Sequence, residues 1–166
     1  MPDKYLSIDK ILTILKETSP RLAKLTAELT PAQLHNAPSD GEWSVNEVLA
    51  HLRACNEVWG GYYITTILAQ GHPTIKAVNP RTWIKNTDYL EQEFQPALRA
   101  FTRQRKKLLA KLEPLSPQDW MRTNTLVGAG KPLQQTLLSH ADGLARHERA
   151  HLKQIERAIE ALMSSK

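Results

Sequence analysis

The hydrophobic positions of this chain recur every three or four residues, which is the period of an amphipathic α-helix. The first such stripe predicts a kinked helix over residues 6–29, with the kink at Pro20, because proline removes a backbone donor and crowds the preceding turn. "TPAQ" at 30–33 resembles a capping box and predicts a short turn of helix. The apolar stripe of the first helix comprises Ile8, Ile11, Leu12, Leu15, Leu22, Leu25 and Leu29.

The second predicted helix has a clear start in "GEWSVNEVLAHL", where Ser44 is a good N-cap and Glu47 completes a capping box. Two consecutive glycines weaken this helix without ending it. Gly71 is a plausible stop, and residues 72–88 are predicted to be a long loop. The predicted core stripe is Val48, Leu52, Cys55, Trp59 and Tyr62.

Two further long helices are predicted, over 89–112 and from about Pro132 to Met163. A short helix after Ser116 and a turn at 125–132 lie between them. Alternation of β-branched residues is absent. The sequence therefore predicts an all-α protein, a four-helix bundle with long connections and short extra helices, as a single domain over 1–166.

Composition adds few constraints. The chain has 166 residues, of which 41% are hydrophobic and 23% charged, as expected for a globular protein. No apolar run is long enough to cross a bilayer, and the N-terminus is too polar for a secretory signal. The single cysteine, Cys55, excludes an internal disulfide and favours a reducing cytoplasm.

Histidines lie on the buried stripe of the last helix. At about 100° per residue, His140, His147 and His151 fall within about 40° of the line of core leucines. His147 and His151 are one turn apart, about 6 Å along the axis, and could share an ion. His140 is about two turns away. A metal pair and a packed or hydrogen-bonded core pair both remain open from spacing alone.

A third ligand would favour the metal interpretation. His51 lies at the edge of the buried stripe of the second helix, about 60° from Val48. Cys55 is one turn further along the same face. It is either a rival ligand to the ion or an ordinary core side chain. His35 and His72 lie in predicted connections and are expected to be solvated.

Several segments, in order, resemble the DinB-like superfamily of metal-binding four-helix bundles, which includes thiol-dependent transferases. "GEWSVNEVLAHL" is similar to its second helix, "FTRQRKKLLAKL" to its third, "DWMRT" to the segment that follows, and "HERAHLKQI" to its last helix. The resemblance implies that His51, His147 and His151 hold one divalent ion with open positions. Nickel, zinc and iron all suit imidazole ligands. Glu148 stands where many relatives have aspartate, so it and His140 are candidates for supporting the ligands.

An open position on the ion can activate either a water or a thiolate, so a hydrolase and a thiol transferase are both candidates. The resemblance to thiol-dependent members favours the transfer of a small thiol to an electrophilic small molecule. Arg105, on the buried stripe of the third helix, is either a clamp for a substrate anion or half of an internal salt bridge, with Glu57 or another carboxylate. Four aromatic residues either line a cavity near the ion or form ordinary core; they are Trp43, Trp59, Tyr62 and Trp120. Trp59 and Tyr62 are candidate substrate contacts, and no catalytic residue is assigned.

Other function classes stay open. The protein could be a non-catalytic, stress-linked metal-binding bundle or a binding module. The net charge of +5 and the basic run over 99–111 suggest the hypothesis that the protein binds nucleic acid. The run wraps around the helix, however, and no nucleic-acid motif is present. We therefore expect no nucleic-acid or membrane partner. Bundles of this kind often pair, so a homodimer is left open.

Overall fold

The predicted four-helix bundle is confirmed by a computed structural model, which describes residues 4–164. The long helices α1 and α3 each pack against α6 and α8. No helix in this part of the chain combines the length and apolarity needed to span a bilayer. In chain order the helices are α1 (Ile8–Thr26), α2 (Pro31–His35), α3 (Val45–Cys55), α4 (Thr65–Ala69), α5 (Pro80–Trp83), α6 (Phe94–Leu112), α7 (Pro117–Trp120) and α8 (Leu137–Ser164).

The predicted helix starts are set by side-chain caps. Ser44 accepts from the backbone N–H of Glu47 while the Glu47 carboxylate accepts from the N–H of Ser44, so the capping box of α3 is confirmed. The same reciprocal bonds join Thr30 to Gln33 at α2. Each cap satisfies donors that the helix leaves unpaired and contributes about 1 kcal/mol. The first helix begins after Ser7, continues through Pro20 and ends earlier than predicted.

A small sheet that the sequence interpretation missed covers one end of the bundle. β1 (Thr74–Lys76) pairs parallel to β2 (Thr123–Val127), which pairs antiparallel to β3 (Leu133–Thr136). The predicted loop at 72–88 therefore contains β1, α5 and a 3₁₀ turn, and the predicted turn at 125–132 is part of a hairpin. Strands of three to five residues are too short to show alternation.

The last two long helices both start later than predicted. α6 begins at Phe94, because Tyr89–Glu91 forms a separate 3₁₀ turn. α8 begins at Leu137, because the preceding residues pair in β3. Leu133, the residue after Pro132 where the helix was expected to open, lies in that strand and is 54% exposed.

A π-helical segment, Asn56–Ile64, joins α3 to α4 and changes which side chains face the core. A π-turn contains more residues than an α-turn, so it shifts the stripe that the α-helical period predicts. Tyr63 is buried, whereas Tyr62 is 39% exposed. Gly60 permits close packing on α6, since a Cβ there would lie 2.7 Å from Cδ2 of Leu108.

A layer of buried polar residues divides the bundle core into two apolar clusters. One cluster contains Leu15 and Leu108, and the other contains Leu22 and Phe101. Between them, each long helix contributes a buried polar side chain; these are Thr18 from α1, Asn56 at the end of α3, Arg105 from α6 and Glu148 from α8. The candidate site lies at this polar level of the bundle.

Candidate metal centre

Three histidine side chains from two helices meet between α3 and α8. His51 Nε2 lies 3.2 Å from His147 Nε2, and His151 Nε2 lies 3.0 Å from the same atom. Each histidine offers one nitrogen within 4.8 Å of the other two. Two imidazole nitrogens bound to one ion at about 2.1 Å lie about 3–3.4 Å apart. The separations therefore match those of adjacent ligands on one ion.

The three inward-facing nitrogens fit a cation better than a metal-free cluster, although His151 has an outer hydrogen-bond acceptor and His147 has none among residues 4–164. His151 Nδ1 lies 2.6 Å from Oε1 of Gln154, so Nδ1 carries the proton and the lone pair of Nε2 faces the cluster. His147 Nδ1 is buried and has no hydrogen-bond partner among residues 4–164. One shared proton cannot satisfy three converging nitrogens. A divalent ion accepts a lone pair from each.

Burial keeps these imidazoles neutral. Burial, with smaller contributions from the neighbouring cluster histidines and Arg81, lowers the pKa of His51 to about 4 and that of His147 to about 3. The pKa of His151 is lowered mainly by burial, against the opposing effect of the hydrogen bond that it donates to Gln154. Neutral imidazole is the form that binds metal ions. The cluster is therefore ready to bind an ion at neutral pH.

Two tryptophans form walls beside the histidines. Trp43 contacts His51 edge-to-face at a centroid distance of 5.1 Å and lies parallel to His151 at 6.2 Å. Trp59, in the π-helical segment, contacts the His147 ring edge at 5.0 Å. Such rings hold the imidazoles in place and limit water access from their sides.

Two other aromatic candidates lie apart from the cluster. Trp120 is a buried core side chain. Tyr62 contacts Tyr63 and borders a separate cleft of about 270 Å³. The candidate substrate role of Tyr62 rested on an α-helical projection through residues that form a π-helix, and the structure does not support it.

Cys55 lies beside His51 rather than within the cluster. Its Sγ is 3.5 Å from Nε2 of His51. The compact group of potential ligand atoms nevertheless includes only the three histidines, within the part of the chain that the structure describes. Burial, together with the negative charge of Glu148, raises the pKa of the Cys55 thiol to about 12. The metal-free thiol is therefore protonated.

Arg105 and Glu148 form a buried internal ion pair. Both guanidinium nitrogens Nη1 and Nη2 donate to the Glu148 carboxylate, Nε donates to Oδ1 of Asn56, and Nη1 also donates to the carbonyl of Leu15. Thr18 donates to the same carboxylate at 2.8 Å. The salt-bridge interpretation is thus the one that the structure shows, with Glu148 as partner. The substrate-anion role of Arg105 is not supported.

The supporting residues predicted for the ligands have other partners. Within residues 4–164, Glu148 hydrogen-bonds to side chains of α1 and α6 and to none of the cluster histidines. His140 is buried away from the cluster, where its Nε2 lies 2.9 Å from Oδ1 of Asn124. Gln154, which does support a cluster histidine, was missed, although its place three residues after His151 was a usable signal. His35 and His72 are both exposed.

The acid sensitivity of the fold is expected to depend on His140. Burial lowers its pKa to about 4, so between pH 6.5 and pH 4 the unfolded chain binds the proton and the folded chain does not. This contribution to stability is complete above pH 6.5 and is lost as the pH falls, by about 2 kcal/mol at pH 5. His140→Gln can still bond Asn124 and does not titrate.

Denaturant unfolding of both proteins at pH 7.5 and pH 5 measures this effect. The parent should lose about 2 kcal/mol more than His140→Gln across this interval. The cluster histidines are common to both proteins and cancel in the comparison. Equal pH dependence in the two proteins would show that His140 does not carry the effect.

Comparison with known proteins identifies a family, and the similar solved structures include one from Bacillus subtilis. Residues 14–155 match the profile of the DinB superfamily. The solved structure of YfiT from Bacillus subtilis, described as a probable metal-dependent hydrolase with an unusual four-helix bundle topology, superposes with a TM-score of 0.74 and 21% sequence identity. The alignment covers 95% of this chain and 91% of that one. The search of curated proteins found no match.

The family profile covers the polar layer and all three cluster histidines, from α1 to the second half of α8. The YfiT structure has the same fold. With more than half of its length matched by the family profile, this chain belongs to the DinB superfamily.

Proposed function

We propose that the protein is a divalent-metal-dependent enzyme that hydrolyses a small molecule, with His51, His147 and His151 as the metal ligands. One observation carries the proposal, the convergence of three neutral imidazole nitrogens with separations of 3.0 and 3.2 Å at two of the pairs. Imidazole ligands suit nickel, zinc and iron, so the donor set favours a transition metal without selecting one.

The number of protein ligands to the metal favours a catalytic site over a structural one. Structural zinc sites are closed by four protein ligands, whereas catalytic sites use three and keep a position for water or substrate. Cys55 is the nearest candidate for a fourth ligand, and it is not part of the compact ligand group in the described chain. His151 also lines an open cavity, which supplies a path for a substrate.

The side chains around the ligands prepare the site for this chemistry. When bound, a divalent ion supplies Lewis-acid activation of water and of a carbonyl or phosphoryl group. Gln154 holds the His151 tautomer that directs Nε2 inward. Trp43 and Trp59 flank the rings and reduce the local dielectric, which strengthens electrostatic interactions there. Glu148 anchors α8 to α1 and α6 next to His147.

The choice of reaction rests on the relative. The description of YfiT as a probable metal-dependent hydrolase supports hydrolysis as the first reaction to test. Thiol transfer, which the family resemblance also implied, would use the same open position, but no contact of the described residues favours it. It is the alternative outcome of the assay, together with metal binding without turnover.

The test begins with elemental analysis of protein purified without added metal. Loaded with nickel, zinc or iron, the protein should hydrolyse at least one member of a panel of small amides and esters. A chelator should abolish this activity and the metal should restore it. His51→Ala is the matched inactive variant. If the protein conjugates cysteine or glutathione to chlorodinitrobenzene and hydrolyses nothing, it is a thiol transferase and not a hydrolase. If it binds one equivalent of metal and has neither activity, the enzyme proposal is overturned.

A further inference from the structure

A cavity of about 610 Å³ opens directly beside the histidine cluster. His151 and Gln154 form one part of its wall and Trp43 another, and the charged lining residues are Arg81, Arg157 and Glu42. The volume is within the range of pockets that bind small molecules. A substrate in this cavity would therefore contact a proposed metal ligand and two arginines, Arg157 from the same helix as His151 and Arg81 from α5.

A second, smaller cleft shares part of this wall. It measures about 160 Å³ and is bordered by His51, Trp43 and Arg81. The Arg81 guanidinium lies 5.2 Å from the centroid of the Trp43 ring, which in turn lies parallel to His151. Arg81 is thus placed at the boundary of both openings to the cluster. The positive charge of Arg81 also contributes to the lowered pKa of His51, His147 and His151.

Arg81 and Arg157 are both exposed, and within residues 4–164 neither guanidinium forms an ion pair or a side-chain hydrogen bond, so both are free to bind a ligand. The pairs that the structure does contain use other arginines, such as Arg21, Arg105 and Arg146. Within the lining of the large cavity, Glu42 is the single carboxylate. The cavity therefore has a positive balance before any ion is bound, and a divalent cation makes it more positive.

We propose that the substrate carries an anionic group, a carboxylate or a phosphate, which binds Arg81 and Arg157 while the reacting bond lies at the histidine cluster. The proposal rests on the proposed metal-dependent function and names the substrate class for it. Arginine presents a planar fork of donors that matches either oxyanion. Trp43 supports the guanidinium of Arg81 from one face and leaves its edges available.

Equilibrium binding of anions to the metal-loaded full-length protein tests this. The probes are succinate and inorganic phosphate, with uncharged succinamide as the control for succinate, and calorimetric titration gives the affinities. Arg81→Gln should weaken binding of the preferred anion about tenfold, and Arg157→Gln by a smaller factor. Arg81→Lys keeps the charge but not the fork, so it should lose less affinity than Arg81→Gln. The stronger of the two probes identifies the anionic group.

Arg103→Gln is the matched control, because Arg103 is an exposed arginine of α6 that does not line either opening. It should bind the probes as the parent does. Repeating the titrations after chelation separates the arginine subsite from binding to the ion itself. Binding that persists unchanged in Arg81→Gln and disappears on chelation would overturn the proposal, as would equal affinity for succinate and succinamide. The titrations measure binding and not turnover. Failure of the proposed hydrolysis would therefore be detected only in the activity assay, separately from failure of the anion-binding proposal.

Discussion

Replacing His147 by alanine is expected to lower the affinity of the protein for Zn²⁺ by about 100-fold or more. His147 is the central member of the cluster, since its Nε2 lies 3.2 Å or less from a nitrogen of both His51 and His151. Its removal leaves two imidazoles on different helices, and two protein ligands rarely hold a divalent ion tightly. His51→Ala and His151→Ala should have effects of the same order.

Competition with a chromophoric chelator measures these affinities, and circular dichroism checks that each variant is folded. Two controls, one beside the cluster and one away from it, change a residue without removing a proposed ligand. His140→Gln alters a histidine bonded to Asn124, and Cys55→Ala removes the thiol beside His51. Both should retain parental affinity. Loss of the ion and of a thiolate charge-transfer band from the cobalt protein in Cys55→Ala would instead show a closed, four-ligand site.

The candidate ligands could be predicted from the sequence because their positions depend on short-range geometry. The capping box at Ser44 sets the start of α3, so the face on which His51 lies follows from counting along one helical turn or two. His147 and His151 are one turn apart in the middle of a long helix, where the period is reliable. That the two helices meet at these residues followed only from the family resemblance.

Tyr62 shows where such counting fails. The projection placed it on the stripe of Val48 and Leu52, but the π-helical segment between Asn56 and Ile64 changes the number of residues per turn. Adjacent glycines in this segment weaken the α-helix, and Gly60 meets Leu108 too closely for a larger residue. A glycine in a sequence indicates that the backbone can leave the α-helical conformation. It does not indicate which conformation the backbone adopts instead.

The polar surroundings of the site could be predicted only in part. Arg105 stood out because a charge on a buried stripe needs a partner, yet the choice of Glu148 over Glu57 depends on how three helices pack. Arg81 gave no local signal at all. It lies on a four-residue helix in a segment interpreted as a loop, and it reaches the cluster only through the fold.

The buried ion pair of Arg105 and Glu148 gives the largest expected effect on stability. Arg105→Met would leave the Glu148 carboxylate buried without its cation, and Glu148→Leu would strand the guanidinium. Each single change is expected to reduce the free energy of unfolding by about 3–5 kcal/mol. The double variant removes both charges together, so its loss should be well below the sum of the two single losses.

Urea denaturation of the parent, both single variants and the double variant gives the four unfolding free energies of this double-mutant cycle. If a single variant does not fold, Arg105→Lys and Glu148→Gln retain part of the network with Asn56 and Thr18 and complete the comparison. Because the pair joins α8 to α6 rather than contacting the cavity, the folded double variant should keep near-parental Zn²⁺ affinity and near-parental anion binding. Additive losses would contradict the ion pair. Weakened anion binding at unchanged stability in Arg105→Lys would instead restore Arg105 as the substrate clamp and remove that role from Arg81.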